Sequence, residues 1–307
     1  MKTVYWEYYH PNKKEFEKMK KEALFVFDAC SLLDLYTLPK SKTDKILSAL
    51  DKLSKYSRIW MPHQFGIEYH QNRKSKIKEQ INYYDNALID IDNFINKPIF
   101  SDFKNHYSLN EKKIKKLLSD FFKGIKKDIK KKKNNHPKWS KNDSIFKKLD
   151  QIFKDNVGEK YPDNILVEKY KEIEQRMELK KHPGLLDVKS LSKDRSKVNG
   201  DALAWLQIID YANQIKKPVI LITEETKPDF WEDKKISSET FPKRTLIREV
   251  YDKTKQLFFI LNMDEFYKFV TDKKYLPIYP EVGVEEKSLQ DINSGVIGAE
   301  NISQLTN

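Results

Sequence analysis

The chain has 307 residues, 39% hydrophobic and 34% charged, with a net charge of +12 and one cysteine. That length suits one large domain or two small ones, and the lone Cys30 excludes an intrachain disulfide and points to a reducing compartment. With only eight glycines and neither a GxGxxG nor a Walker pattern, glycine-rich nucleotide loops are excluded; no signal-peptide h-region or membrane-length apolar run occurs, so a cytoplasmic protein is expected.

The first 22 residues read as an aromatic lead-in followed by a short charged helix around Glu15 to Lys21. Leu24-Phe25-Val26-Phe27 is then a short apolar run of the kind found in fully buried strands, and it ends on Asp28. A helix with Leu32, Leu33, Leu35 and Tyr36 follows and is interrupted by Pro39. Leu47, Leu50 and Leu53 mark a second amphipathic helix. Arg58-Ile59-Trp60-Met61 reads as another buried strand closed by Pro62, and the helix from about Gln64 carries Phe65, Ile67, Glu68 and His70.

From about Arg73 to Lys180 the pattern is helical and rich in Lys, Asn and Ile. Ile114, Leu117, Leu118, Phe121, Phe122 and Ile125 fall at helical spacing, and Asn134-Asn135-His136-Pro137 breaks it. Between Glu111 and Lys141 stand 13 lysines against three acids, a local balance of +10, so nearly all the net charge lies in this one segment. Such a concentration suits a polyanion, and equally a solvated helix face. We divide the chain into an α/β domain formed by residues 1–73 and 181–277, a Lys-rich helical insertion at 74–180, and a polar tail at 278–307.

The α/β pattern resumes near His182-Pro183-Gly184. Asn199-Gly200-Asp201 opens a helix with Leu203, Trp205, Leu206, Ile208 and Ile209 apolar. Pro218-Val219-Ile220-Leu221-Ile222-Thr223 is a third buried strand, followed by Glu224 and Glu225. A helix over about 244–255, a strand at Leu257–Leu261 and a helix at Asp264–Val270 complete the pattern.

In an open α/β sheet, ligands gather at the C-terminal ends of the strands. Asp28 and Glu225 stand at two such ends, Glu68 on the helix after the second strand, and Asp201 at a helix start. Carboxylates brought together repel one another unless a cation sits among them. Taken singly, each has an ordinary alternative: Asp28 and Asp201 as helix caps, Glu68 as a solvated helix residue. The six histidines form no HxH or HExxH pattern, which argues against zinc. Arg73 and Lys227 adjoin these segments and are candidate phosphate contacts or solvated cations.

Four blocks carry a resemblance. Phe25-Val26-Phe27-Asp28-Ala29-Cys30-Ser31-Leu32, Trp60-Met61-Pro62-His63-Gln64-Phe65-Gly66-Ile67-Glu68, Gly200-Asp201-Ala202-Leu203-Ala204-Trp205 and Ile222-Thr223-Glu224-Glu225-Thr226-Lys227-Pro228-Asp229 stand in the order and wording of the bacterial PIN-like nucleases. The resemblance implies a Rossmann-like α/β/α sandwich with a mainly parallel sheet. It also implies a metal-dependent nuclease using Mg²⁺ or Mn²⁺, with Asp28, Glu68, Asp201 and Glu225 as catalytic acids and metal ligands and Asp187, Glu224 and Asp229 as supporting acids. RNA is the implied substrate ahead of DNA, in a toxin or antiphage defence system. The implied partners are nucleic acid and a defence protein such as an ATPase, with a homo-oligomer left open and no membrane. The chain departs from the family pattern in two places. Glu225 replaces an expected Asp, and Cys30 replaces a small polar residue, which weakens the expectation of a hydrogen bond from that position. A catalytically degenerate nucleic-acid-binding or scaffold subunit is the alternative.

Overall fold

The structure is a computed structural model that describes residues 1, 4–9, 11–97, 103, 106–185, 200–232 and 241–277. Four strands, β1 (Leu24–Phe27), β2 (Ile59–Trp60), β3 (Val219–Ile222) and β4 (Phe258–Leu261), form one parallel sheet in the order β2-β1-β3-β4. The described α-helices are α1 (Lys13–Glu22), α2 (Ala29–Leu33), α3 (Lys40–Ser54), α4 (His63–Ile95), α5 (Glu111–Asn134), α6 (Ser144–Phe153), α7 (Asp163–Glu178), α8 (Gly200–Ile215), α9 (Arg244–Thr254) and α10 (Met263–Thr271). All four expected strands form within one residue of the expected ends.

Every strand residue is buried, because helices cover both faces of the sheet. That is why the strands read as unbroken apolar runs and not as alternations. Successive side chains point to opposite faces. On one face Phe25 and Phe27 meet Phe266 of α10 edge-on at 5.3 and 5.2 Å, and Phe27 meets Phe153 of α6 at 5.9 Å. On the other, Trp205 of α8 stands edge-on to Phe258 at 5.2 Å, and α9 packs beside it. The result is the expected α/β/α sandwich.

Local signals set the helix starts. Asn12 and Glu15 close a reciprocal capping box on α1, and Asn262 and Glu265 do the same on α10. Pro39 splits the second helical region: α2 passes into a single 3₁₀ turn at Asp34–Tyr36, and α3 begins after the proline.

The boundary drawn at residues 73–74 falls inside α4, which runs unbroken from His63 to Ile95. Its outer half pairs with α5, Phe94 meeting Phe122 at 6.0 Å; no residue of α5 is buried. The chain then returns to the sheet well before residue 181. Ile145, Leu149, Ile152 and Phe153 of α6 recur at helical spacing and enter the main core. Met61 N–H donates to Asn156 O at 3.0 Å and Gly158 N–H to Met61 O at 2.8 Å, so residues 156–158 continue the sheet beyond β2. Ile173 of α7 packs under Ala202, Leu203 and Leu206 of α8. The protruding element is thus the α4–α5 hairpin alone. No described helix is long and apolar enough to cross a membrane. The tail at 278–307 lies outside the described residues.

Candidate active site

Asp28 ends β1 and caps α2, and 7% of its surface is exposed. Its Oδ2 accepts the hydroxyl proton of Thr223 at 2.7 Å and the thiol of Cys30 at 3.0 Å, while Oδ1 accepts Cys30 N–H at 3.4 Å. Burial pushes the Asp28 carboxyl above the ordinary carboxylate range; the bonds from Cys30 and Thr223 oppose this, and the charge of Glu225 adds to it. Cys30 therefore does supply a hydrogen bond, contrary to the expectation from its departure from the family pattern. Burial first, then the neighbouring Asp28 charge, push its thiol up, so it stays a protonated donor.

Thr223, the residue after β3, joins the two strand ends. Its Oγ1 donates to Asp28 and accepts Glu225 N–H at 3.0 Å. Glu225 folds back on its own turn: Oε1 accepts Thr226 N–H at 2.9 Å and Lys227 N–H at 3.1 Å, and Oε2 pairs with Lys227 Nζ at 3.0 Å. Asp28 and Glu225 thus share one edge of the sheet closely enough for the Glu225 charge to add to the pressure on the Asp28 carboxyl.

Glu68 stands beside the start of the helix that carries Asp201. Gln64 Nε2 donates to Glu68 Oε1 at 2.8 Å, and Gln64 N–H donates to Gln207 Oε1 at 3.1 Å. A Cβ placed on Gly200 would lie 2.4 Å from Glu68 Oε1. These contacts pack the first two turns of α4 against the N-terminal half of α8 and set Glu68 against the residue preceding Asp201. Because α4 leaves directly from the C-terminal end of β2, this pair lies above the same sheet edge as Asp28 and Glu225. Asp201 sits in the first turn of α8, where a carboxylate is favoured by the exposed backbone N–H groups.

The remaining candidates separate by their partners. Asp229 is fully buried; it contacts His182 Nδ1 at 2.6 Å and accepts Gly184 N–H at 3.3 Å. Gly184 has φ +99°, and a Cβ there would lie 3.0 Å from Ala202 Cβ. Asp229 therefore fastens a tight turn against the first turn of α8 and acts by positioning. Glu224 accepts Met263 N–H at 2.7 Å at the start of α10. Burial, with Asp34 and Asp264 nearby, holds its carboxyl above the ordinary range against that bond. Arg73 pairs with Asp143 at 2.6 Å and lies over Phe146 at 4.1 Å, so its guanidinium joins α4 to the start of α6. Asp187 lies outside the described residues. Thr223, Gln64, Gly200 and His182 were not among the sequence candidates. A Thr before an acid at a strand end was the one available signal.

The model of the family described as a PIN-like domain matches residues 24–246. The chain belongs to the PIN-like domain family. No curated protein and no solved structure matches the chain significantly. The matched span holds all four candidate acids and the α4–α5 hairpin. PIN-like domains are a nuclease fold, which supports a nuclease-type activity on nucleic acid.

The candidate acids of this PIN-like domain offer hard carboxylate oxygens, the ligand type that Mg²⁺ and Mn²⁺ prefer. Among the described residues, no three His, Cys, Asp or Glu side chains are gathered to hold one ion. Mg²⁺ needs only one or two direct carboxylates and keeps its waters. Oδ1 of Asp28, with one long contact, retains acceptor capacity, whereas both oxygens of Glu225 are engaged by its own turn and Lys227.

Proposed function

We propose that this PIN-like domain is a metal-dependent nuclease that hydrolyses phosphodiester bonds, with RNA preferred to DNA, as an effector of a bacterial toxin or antiphage defence system. The two carboxylates of Asp28 and Glu225, tied to adjacent strand ends through Thr223, support this most strongly. A buried carboxylate beside a like charge is unfavourable by itself and is relieved by a cation. Asp28 and Glu225 would hold Mg²⁺ or Mn²⁺, with Glu68 and Asp201 acting directly or through water. The ion, when bound, supplies Lewis acidity and a more acidic water.

The chain's own groups do the rest. Thr223 and Cys30 hold Asp28 in one orientation. Gln64 orients Glu68 toward the start of α8, and Asp229 with His182 braces that start from behind. The lysines of the α4–α5 hairpin attract the phosphate backbone without regard to sequence. Lys227, paired with Glu225 and half exposed, is placed to exchange that partner for a substrate phosphate. Arg73 is left out of the site because Asp143 and Phe146 occupy it. A partner ATPase or other defence protein, and a homo-oligomer, fit the same reading.

The test is cleavage of labelled RNA and DNA in Mg²⁺ or Mn²⁺ by the wild-type protein, D28N and D201N. Cleavage by the wild type alone is expected, and equal activity in all three removes the site. One observation favours a second reading, a degenerate nucleic-acid-binding or scaffold subunit: Glu225 is already satisfied by its own turn and by Lys227. That reading requires nucleic-acid binding that is indifferent to EDTA, with no cleavage under any divalent ion.

A further inference from the structure

A cavity of about 630 Å³ opens between α4 and the segment that follows α5, on the hairpin and apart from the four acids. Its volume is that of a small-molecule site. No acid lines it. Of its lysines, Lys133 is paired with Asp85 at 2.5 Å, whereas Lys74, Lys78 and Lys138 have no ion-pair partner among the described residues. Uncompensated cations on a concave wall concentrate positive potential there.

The opposite property is built into the same walls. Ile77 and Ile81 lie one turn apart on the inner face of α4. Trp139 forms another wall and is fixed in place. Its ring stands edge-on to Tyr36 at 5.2 Å and to His136 at 4.9 Å, and His136 Nδ1 lies 3.2 Å from the Tyr84 hydroxyl. A rigid indole beside two aliphatic side chains is a stacking surface for a planar ring. A simple inorganic anion would leave the apolar walls unused, and an apolar ligand would leave the three lysines uncompensated.

We propose that this cavity binds a nucleoside phosphate, the base against Trp139, Ile77 and Ile81 and the phosphate at Lys74, Lys78 and Lys138. The ligand is either a free nucleotide or the terminal unit of a nucleic-acid strand. Lys78 also lines a second cavity of about 470 Å³, on another face of α4, with Leu33, Asn72, Lys76 and Glu79. A strand as the source rests on the proposed nuclease activity; the nucleotide site itself does not.

Two probes separate the sources: adenosine 5′-monophosphate and a 5′-phosphorylated ribo-oligoadenylate, each titrated with EDTA present while tryptophan fluorescence is followed. The expected result is quenching in the wild type that is lost in W139F, and binding weakened at least about tenfold in K78E/K138E. The double variant K13E/K14E, with charges reversed at exposed lysines of α1 away from the hairpin, is expected to change binding by less than about twofold. Binding of the monophosphate assigns the site to free nucleotides; binding of the oligonucleotide alone assigns it to a strand end. The proposal is overturned if neither probe binds, if the two charge reversals weaken binding equally, or if W139F keeps the quench. Loss of cleavage in D28N does not enter this test, so the two readings fail separately.

Discussion

Thr223 donates its hydroxyl to Oδ2 of Asp28 at 2.7 Å, across the pairing of β3 with β1. The Thr223 hydroxyl oxygen in turn accepts the backbone N–H of Glu225 at 3.0 Å. One small side chain thus ties together the two strand ends that carry acid.

Replacing Thr223 therefore separates two effects. T223V keeps the shape but removes a donor to Asp28 and an acceptor for Glu225 N–H. Cleavage is expected to fall about 10- to 100-fold, with a stability loss of about 1–3 kcal/mol for the buried groups left unsatisfied. T223S restores the hydroxyl and is expected to recover most of the activity. Steady-state cleavage rates and urea melts of the two variants provide the comparison, and equal rates for Ser and Val would remove Thr223 from the site.

Asp28 is expected to favour function at the expense of stability. Burial raises its folded-state pKa above the unfolded value, so the ionised form weakens the fold at neutral pH. That penalty disappears as pH falls through the folded-state pKa toward the unfolded one. D28N is thus expected to lower cleavage at least about 100-fold while leaving the EDTA-treated protein as stable as wild type or more so. Mn²⁺ should raise the melting temperature of the wild type and not of D28N. A melting temperature for D28N several degrees below wild type in EDTA contradicts the expectation.

Gly200 tests the second pair of acids. In G200A the new methyl would lie 2.4 Å from Glu68 Oε1 and 3.3 Å from Gln64 Nε2, both at the ends of flexible side chains. Folding is expected to survive with a cost near 1 kcal/mol or less, while Glu68 swings away from Asp201. G200A should lose about as much activity as E68Q, and the double variant no more than either. Additive losses would show that Glu68 and the start of α8 work independently.

Away from the site, Glu249 binds Arg176 and accepts the Trp205 indole N–H at 2.9 Å, joining α7, α8 and α9. Burial alone would raise its pKa, but the hydrogen bond and charge of Arg176 outweigh it and hold the carboxyl below the ordinary range. A depressed folded-state pKa gives stability that is present above the unfolded value and lost as pH falls through the folded one. Wild-type stability should therefore drop on the acid side of the ordinary glutamate pKa. E249Q, which leaves Arg176 without its charge partner, is expected to cost about 3 kcal/mol near neutrality and to flatten that acid dependence. Chemical denaturation at stepped pH reads both effects.

The fold was legible because buried strands and amphipathic helices leave periodic traces in the sequence. Leu24–Phe27 and Val219–Ile222 read as strands buried on both faces, and the spacing of Leu47, Leu50 and Leu53 marks α3 without reference to anything distant. The limits of the insertion were not legible. Lysine content rises near residue 74, but a helix continues through a change of composition as long as its hydrogen-bond ladder is intact, so α4 does not stop there. Likewise α6 has the same periodicity whether its apolar face meets the hairpin or the sheet.

By itself, the sequence determined that acids stand at the ends of particular elements: Asp28 after β1, Glu225 after β3, Asp201 at the start of α8, and Glu68 in the second turn of α4. Only the tertiary structure decided how those acids are used. It joined Asp28 to Thr223 and Cys30, set Glu68 against Gly200, committed Asp229 to His182 and Glu224 to the start of α10, and gave Arg73 to Asp143. The physical reason is that position along an element follows from local backbone preference. The partner of a buried polar group is set by which elements pack together, and contacts such as Thr223–Asp28 and His182–Asp229 cross 195 and 47 residues of chain.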